Sequence, residues 1–193
     1  MEKDEKKLLK RVKSGDRRAF DEIIMLYMRR AYSVAFRFTN QDEDAYDMVQ
    51  DAFMRTYSNI QGYNEDYPFS TWFFRILVNN CINFIKREKR RKFVFDSWRN
   101  SNNNDFEKFE NRKEVFSENP EDEYLKEERF RHLWSGINKL PEKQRDAIIL
   151  YDLEGFTQQE VAEILGCPVG SVMSRIYYGR QKLKKHLKSY MEK

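Results

Sequence analysis

Apolar residues recur at intervals of three and four along most of this 193-residue chain. This spacing places side chains on one face of an α-helix, whereas a half-buried β-strand would need strict alternation. The same spacing starts afresh behind Asp16, Asp42 and Ser70, which predicts three helices with a shared core. Only 7 Gly and 4 Pro interrupt the chain, so we expect an all-α fold. The first predicted face contains Phe20, Ile23, Ile24, Tyr27, Ala31, Val34 and Phe38.

A second helical domain is predicted at the C-terminal end. Asn119 and Pro120 are typical of a helix start, because Asn caps free N–H groups and Pro fits the first turn. Gly155 ends a later helix, and Thr157 with Glu160 has the spacing of a capping box for the next one. We therefore expect a second set of packed helices here. Its first apolar face contains Phe130, Leu133, Trp134, Ile137 and Leu140.

The helical pattern stops between the two domains. The stretch from Asn100 to Asn104 is rich in Asn, and the residues from Asp105 to Glu128 carry an acidic excess. Such polar composition is typical of segments without a fold of their own. We expect two small helical domains, at 1–94 and 119–193, joined by a flexible acidic linker at 95–118.

Several classes of protein are excluded by what the sequence lacks. No apolar run reaches the ~20 residues that span a bilayer, and Met1 to Lys13 is too highly charged for a signal peptide. The two cysteines form no metal-ligand pattern with the two histidines. No nucleophile motif or glycine-rich phosphate loop is present. We expect a cytoplasmic protein with no membrane insertion, no cofactor and no enzymatic activity.

The charge of the chain is unevenly distributed. The net charge is only +4, but basic residues concentrate at Lys86 to Lys92 and again at Arg175 to Lys193. An acidic segment separates the two runs. Because each basic run follows a helix with polar or aromatic residues, we expect two places that contact a polyanion.

The stretch from Gln158 to Arg180 has the spacing of a helix-turn-helix. A short helix that contains the small Ala162 closes at Gly166, and the next helix begins near Pro168. Glycine permits the left-handed backbone of the turn, and a small residue lets two helices cross closely. The second helix of such a motif normally enters the major groove of DNA. The alternative is a helical hairpin that binds no DNA.

Polar and basic residues on that second helix are placed to contact DNA. Ser171, Ser174 and Arg175 lie in its N-terminal half, where base edges come within reach. Arg180 lies further along and is placed for phosphates. The lysines that follow it, Lys182, Lys184 and Lys185, are expected to do the same.

A second group of candidates surrounds the start of the third predicted helix. Bases of an opened duplex can stack on aromatic side chains, which is worth ~1–3 kcal/mol per base. We expect Tyr63, Asn64 and Asn79 to touch bases, while Trp72 and Phe73 are expected in the core. The basic run that follows is expected to hold phosphate, so that binding weakens steeply with salt.

Five segments carry a family resemblance. They are LPEKQR (140–145), LEGFTQQEVA (153–162), VGSVMSR (169–175), DAYDMVQDAF (44–53) and FSTWFFRI (69–76). The first three resemble region four of the extracytoplasmic-function sigma factors, a branch of the sigma-70 superfamily. The fourth is similar to the polymerase-binding helix of that family. The fifth, with Asn79, Asn83, Lys86 and Arg87, is similar to its minus-ten recognition helix.

The resemblance implies a function and a set of partners. Such a protein directs core RNA polymerase to promoters, recognises the minus-35 and minus-10 elements and promotes DNA opening. The implied partners are core RNA polymerase, through its clamp helices and flap, promoter DNA and an anti-sigma factor. Asp47, Gln50 and Asp51 share the helix face that would bind the polymerase. The implied DNA-binding residues are Tyr63, Asn64, Arg75, Asn79, Asn83, Lys86, Arg87, Arg90, Ser171, Met173, Ser174, Arg175, Tyr178 and Arg180.

Four positions depart from the family's usual pattern. Met173 and Tyr178 stand where a basic residue is common, and Gly179 stands where Ala is usual. Asn83 replaces a frequent Asp. Met and Tyr offer apolar contact where Arg would read guanine, so the minus-35 sequence does not follow from the family pattern.

Two other functions are compatible with parts of the sequence. A stand-alone helix-turn-helix regulator would bind DNA without polymerase, and the acidic face of the second helix argues against it. An enzyme acting on nucleic acid would need a catalytic constellation, which the sequence lacks.

Overall fold

The structure is a computed structural model that describes residues 2–98 and 120–191. Within these ranges helices are joined by turns and no strand is present, so the predicted all-α class is confirmed. The described chain forms two compact units: the first contains residues 2–98 and 162–167, and the second contains residues 120–161 and 168–191. The α-helices are α1 (Glu2–Lys13), α2 (Arg17–Thr39), α3 (Asp42–Ser58), α4 (Phe69–Trp98), α5 (Pro120–Asn138), α6 (Glu142–Ile148), α7 (Gln158–Leu165) and α8 (Val169–Met191).

The core of the first unit lies between α2, α3 and α4, as the apolar spacing predicts. The rings of Phe53 on α3 and Phe73 on α4 stack with their centroids 4.7 Å apart. Tilted and edge-on contacts connect further rings, an arrangement that aromatic quadrupoles favour. The buried side chains include Phe20, Ile23, Ala31, Val34, Phe38, Ala45, Val49, Ala52, Phe73, Phe74, Leu77, Val78 and Cys81.

The helix α1 was not predicted. Leu9 and Val12 of α1 are buried, and α1 packs on α2. Asp16 caps α2, as predicted: its side chain accepts a hydrogen bond from the Ala19 N–H at 3.3 Å. Arg11 donates to the same carboxylate at 2.9 Å, so the junction between α1 and α2 is tied.

The predicted cap of α3 is wrong by one residue. Gln41 occupies the capping position, and Asp42 is the first helical residue. The Asp42 carboxylate instead accepts a hydrogen bond from the Tyr32 hydroxyl. Asp42 still lies in the first turn, where a negative charge interacts favourably with the helix dipole.

The helix α4 is longer than predicted. It begins at Phe69 and continues to Trp98, past the predicted domain boundary at residue 94. Lys and Arg are good helix formers, so the basic run extends the helix. The rest of the predicted linker, from residue 99 to residue 118, lies outside the described residues, as does the predicted cap Asn119.

Residues 120–191 contain three local features that the sequence predicts: a helix start at Pro120, the capping box before α7 and a glycine turn after α7. Pro120 is the first residue of α5. The Thr157 N–H donates to Glu160 Oε2 at 2.8 Å, and the Glu160 N–H donates to Thr157 Oγ1 at 3.2 Å, which confirms the capping box of α7. Gly166 has φ of 61° in the turn between α7 and α8. Only glycine adopts this left-handed backbone without steric cost.

A π-helical turn, Ile149–Leu153, follows α6 without a break. A single extra residue in the helical repeat shifts the side chains beyond it around the axis. The turn carries Tyr151 and Asp152 to the side that meets α8. The sequence gives no sign of it, because π-helical turns depend on tertiary packing.

Two glycines let α8 approach its neighbours closely. A Cβ atom at Gly179 would lie 2.9 Å from Cγ1 of Ile148 on α6. A Cβ atom at Gly136 of α5 would lie 2.8 Å from Cδ2 of His186. Both distances are shorter than van der Waals contact. The helix α8 therefore crosses α5 and α6 more closely than a residue with a Cβ atom at either position would permit.

One carboxylate is buried beside the crossing of α6 and α8. Asp146 is 7% exposed, and Arg145 Nη2 lies 3.4 Å from its Oδ1. Burial raises the pKa of Asp146 to about 6, against the opposing effect of the Arg145 charge.

No helix in the described ranges combines the length and the hydropathy that crossing a membrane requires.

Candidate nucleic-acid interface

An exposed polar and basic stripe runs along α4. Arg75, Asn79, Asn83, Lys86 and Arg90 follow each other at three or four residues and are all exposed. That spacing places them on one helix face, away from the buried Phe73, Leu77 and Cys81. Arg87 lies at the edge of the stripe with its guanidinium 5.7 Å from the Phe84 ring centre. The stripe offers amides followed by cations, which suits bases followed by phosphates.

In the loop before α4, Tyr63 is buried, whereas its predicted contact with a base would need an accessible ring. Tyr63 is only 6% exposed, and its hydroxyl donates to the Tyr67 carbonyl at 2.5 Å. Its ring packs against Phe69 and Trp72, with centroids 5.5 and 5.1 Å away. Burial raises the pKa of the Tyr63 hydroxyl to about 12, so it stays a neutral donor. The prediction that Tyr63 touches a base does not fit this geometry, and Tyr63 supports the loop instead.

Asn64 and Trp72 remain accessible near that loop. Asn64 is exposed, and its Oδ1 accepts from the Asp66 N–H at 3.0 Å, which closes a tight turn. Trp72 was expected in the core but is half-buried, on the face of α4 that Arg75 and Asn79 share. Phe73, predicted in the core, is fully buried. An accessible indole at the head of the stripe is an additional candidate for stacking with a base.

The helix α8 has a buried apolar side and an exposed side that carries polar and aromatic residues. Val172, Ile176, Gly179 and Leu183 are buried. Ser174 lies on the opposite side and donates to the Gly170 carbonyl at 3.0 Å. Ser171 and Arg175 are half-buried at its flank. Three large hydrophobic side chains of this helix are exposed, namely Met173 (53%), Tyr177 (59%) and Tyr178 (57%).

Sequence reasoning missed Tyr177, which shares this exposed surface. Its ring packs edge-on against Tyr178, with the centroids 5.3 Å apart. The two rings form an aromatic pair beside the serines, a surface suited to apolar contact with thymine methyl groups. The signal was present in the sequence, since Tyr177 lies three residues after Ser174.

Arg180 was predicted to contact DNA phosphates, but in the structure it binds another part of the protein. Its guanidinium forms an ion pair with Asp152 of the π-helical turn, with Nε 3.2 Å from Oδ2. It also lies 5.4 Å from the Tyr151 ring centre. These contacts tie α8 to the turn after α6. The exposed Lys182, Lys184 and Lys185 are better placed than Arg180 for phosphates.

The acidic face of α3 lies opposite its buried side. Asp47 and Gln50 are exposed, and Asp51 forms an ion pair with Arg55 at 2.9 Å. Burial, helped by the nearby Glu88 carboxylate, raises the pKa of Asp44 at the start of the helix. The three predicted residues therefore share one accessible helix face.

An open groove of about 460 Å³ adjoins this acidic face, between α2 and α3. Its walls are mainly apolar, and Tyr46 and Met54 at its edge are 60% and 69% exposed. Exposed apolar groups of this size, next to acidic and amide groups, are typical of a protein-binding surface. The groove residues are Arg17, Phe20, Asp21, Ile24, Met28, Tyr46, Val49, Gln50, Phe53, Met54 and Tyr57.

Among residues 2–98 and 120–191, no three His, Cys, Asp or Glu side chains lie together in a way that would hold a metal ion.

Family models match both units. Residues 23–91 match the model described as Sigma-70 region 2, and residues 131–183 match the model described as Sigma-70, region 4. The first match covers α3 and most of α2 and α4, with their acidic face and polar stripe. The second covers α6, α7, the C-terminal part of α5 from residue 131 and most of α8.

One curated relative and two solved structures show the extent of the similarity. The chain is 32% identical over 184 residues to the ECF RNA polymerase sigma-E factor of Haemophilus influenzae, covering 95% of each chain. The structure of CnrH in complex with the cytosolic domain of CnrY matches with a TM-score of 0.69 at 24% identity, covering 96% of this chain and 98% of that one. The sigma factor RpoE of Bartonella quintana, solved with the anti-sigma factor NepR, matches with a TM-score of 0.64 at 22% identity over 88% and 96% of the chains. The two structures support the fold.

Proposed function

Since this chain belongs to the extracytoplasmic-function sigma factors of the sigma-70 family, we propose that its two units perform separate steps of promoter recognition. The protein is an RNA polymerase sigma factor. In the proposal, residues 1–94 bind core polymerase and engage the minus-10 element, and residues 119–193 recognise the minus-35 element. Residues 95–118 connect the two domains. The observation that carries the proposal is that each exposed surface lies on helices matched by the corresponding family model.

Core polymerase is proposed to bind the acidic face of α3 and the adjoining groove. Asp47, Gln50 and Asp51 present carboxylates and an amide at three- and four-residue spacing, which suits a basic helical partner. The apolar groove adds the desolvated surface on which affinity depends. The clamp helices of the polymerase are the proposed partner here, and its flap is the proposed partner of residues 119–193.

The opened minus-10 strand is proposed to follow the stripe on α4. Asn64, Trp72 and Asn79 are accessible for bases, and the cations from Lys86 to Arg90 are accessible for phosphates. Single-stranded DNA is usually held in this way, by stacking platforms beside a cationic track.

The minus-35 duplex is proposed to bind the exposed side of α8. Ser174, Tyr177 and Tyr178 would face base edges, with Arg175 at the flank. An α-helix fits the major groove, where each base pair presents a distinct pattern.

An anti-sigma factor is proposed as a further partner, acting on the α2–α3 groove. The groove is apolar and accessible, and occupation by another protein would prevent core polymerase from binding there. The Bartonella quintana relative was solved with such a factor.

Abortive transcription on two templates tests the division of work. Arg175→Ala should lower activity on an intact promoter roughly tenfold, because a good base contact is worth ~1–3 kcal/mol. The loss of activity of Arg175→Ala should be much smaller on a template already opened at the minus-10 element. Asn64→Ala with Asn79→Ala should show poor opening of the duplex and partial rescue by the opened template. Equal losses of both variants on both templates would contradict the proposal.

The same preparations separate the sigma factor from a stand-alone regulator. Capture of core polymerase should weaken with Gln50→Ala and Asp51→Lys together, while Asp66→Lys, an equal charge change in the loop before α4, serves as the control. Mobility shifts of promoter DNA should require core polymerase. A specific shift by the protein alone, unaffected by core polymerase, would favour the regulator.

A further inference from the structure

The end of α1 is tied to the loop between α3 and α4. This loop, residues 61–67, lies 48 or more positions along the chain from Lys13. The Lys13 ammonium donates to the Tyr63 carbonyl at 2.9 Å and to Glu65 Oε1 at 2.9 Å. In return, the Gln61 side-chain amide donates to the Lys13 carbonyl at 2.7 Å. One residue of α1 therefore makes three hydrogen bonds to the loop.

Lys13 also contacts the aromatic cluster under the loop. Its ammonium lies 5.4 Å from the Tyr63 ring centre, within reach of a cation–π interaction. The Tyr63 ring in turn packs on Phe69 and Trp72. The position of Lys13 is thus coupled to the half-buried indole at the head of the α4 stripe.

The geometry favours a specific tie over a chance surface pair. The Lys13 side chain is 22% exposed, and its bond to the Tyr63 carbonyl is partly buried. Exposed ion pairs contribute little stability by themselves. Removing a cation that donates to a partly buried carbonyl costs more, because that carbonyl then loses its hydrogen-bond donor. Lys13 holds the pKa of Glu65 below its usual range, chiefly through their hydrogen bond.

The loop has little other regular structure to hold it. After the 3-10 turn Ile60–Gly62, the backbone from residue 63 to residue 68 contains a turn and a bend but no helix. Its internal hydrogen bonds run from the Tyr63 hydroxyl to the Tyr67 carbonyl, from the Asp66 N–H to Asn64 Oδ1, and from the Tyr67 N–H to the Asn64 carbonyl at 3.3 Å. A loop of this kind has low local stability unless tied to a packed element.

We propose that Lys13 is a positioning residue that holds loop 61–67 in the conformation from which Asn64 and Trp72 engage opened DNA. The proposal rests on the proposed function for its DNA step, but the tie itself exists in the protein without polymerase. Lys13 touches no base: it acts through Tyr63 and Glu65.

Three variants of the full chain separate positioning from general stability. Lys13→Met keeps the aliphatic stem and removes all donors. Lys13→Arg keeps the charge and the donors. Lys7→Met is the matched control, since Lys7 is an exposed lysine of the same helix.

Hydrogen exchange of the free proteins tests the tie. Amides of residues 61–67 should exchange about tenfold faster in Lys13→Met, the size expected for losing a partly buried charge-assisted hydrogen bond. Lys13→Arg and Lys7→Met should exchange like the wild type, and amides of α3 should be unchanged in all. Unchanged loop exchange in Lys13→Met overturns the proposal, as does equally faster exchange throughout the first unit.

Abortive transcription with the holoenzymes tests the consequence. The activity of Lys13→Met should fall about tenfold on duplex promoter and should be largely regained on a template opened at the minus-10 element. Its capture of core polymerase should be unchanged. Lys13→Arg should have nearly the activity of the wild type. Faster loop exchange with full duplex activity overturns the role in DNA opening. If the proposed function fails, even the wild type gives no promoter-dependent transcript, whereas the exchange result still decides whether Lys13 holds the loop.

Discussion

Asp146 gives the second unit a pH dependence that can be measured. Burial raises its pKa to about 6, above the ~3.9 of an unfolded aspartate. The folded state therefore binds more protons than the unfolded state between these values, so stability falls as the pH rises from about 4 to about 6. The ion pair with Arg145 offsets only part of the desolvation, because neighbouring positions on a helix do not face each other.

Asp146→Asn should remove that decline. At pH 7.5 the variant should be more stable than the wild type, by up to about 3 kcal/mol for a shift of two pKa units. At pH 4 the two proteins should have similar melting temperatures, because the carboxyl is then largely protonated in the folded state and about half protonated in the unfolded state. Thermal melts from pH 4 to pH 7.5 test this, with the exposed Asp47→Asn as control. A variant whose stability falls with pH as steeply as that of the wild type would show that Asp146 is not the cause.

At the scale of elements, the close approach of α6 and α8 depends on the absence of a Cβ atom at Gly179. Gly179→Ala would place a Cβ atom 2.9 Å from Cγ1 of the buried Ile148. The helix-propensity gain of about 1 kcal/mol does not offset overpacking, which costs about 1–3 kcal/mol. We expect a net loss of about 1 kcal/mol by urea unfolding.

Gly170→Ala is the matched control for this crossing. Gly170 lies in the same helix, is exposed and has no atom within 4 Å of an added Cβ. The variant should be as stable as the wild type or more stable. If Gly179→Ala also stabilises the protein, Ile148 moves aside more easily than its packing indicates.

The helices that sequence reasoning located are those with long apolar faces or strong caps. The faces of α2, α3 and α4 and the capping box before α7 followed from local spacing, and local spacing needs no tertiary information. The short α1 was missed because the charge of Met1 to Lys13 was used only to exclude a signal peptide, although Leu9 and Val12 share one buried face.

The candidate site was harder to predict because exposure depends on packing. Tyr63 and Trp72 lie in one aromatic stretch, yet the loop buries the tyrosine and leaves the indole accessible. Arg180 was expected at phosphate because α8 is basic, but the π-helical turn brings Asp152 to it. Neither outcome can be derived from residue spacing, since both depend on where another element places a partner.

At the scale of the whole molecule, the two compact units should unfold separately. Each has its own buried core, and proteins built in this way depart from two-state behaviour. Scanning calorimetry of the full chain should resolve two transitions. Gly179→Ala should lower only one, and Ile23→Ala, which removes a fully buried side chain of α2, should lower only the other. A single transition that both variants lower would mean that the units unfold together.

The exposed side of α8 has a consequence for how such a factor can diverge in evolution. Met173, Tyr177 and Tyr178 offer shape and apolar contact, while the cations lie further along the same helix. In the proposed complex of α8 with the minus-35 duplex, phosphate binding and the choice of sequence therefore belong to different side chains. Under that proposal, a duplicated gene can exchange one residue of the exposed side and acquire new promoters while its lysines still bind the phosphates of any duplex. Each such step leaves a protein that binds DNA, so a new regulon can arise through functional intermediates.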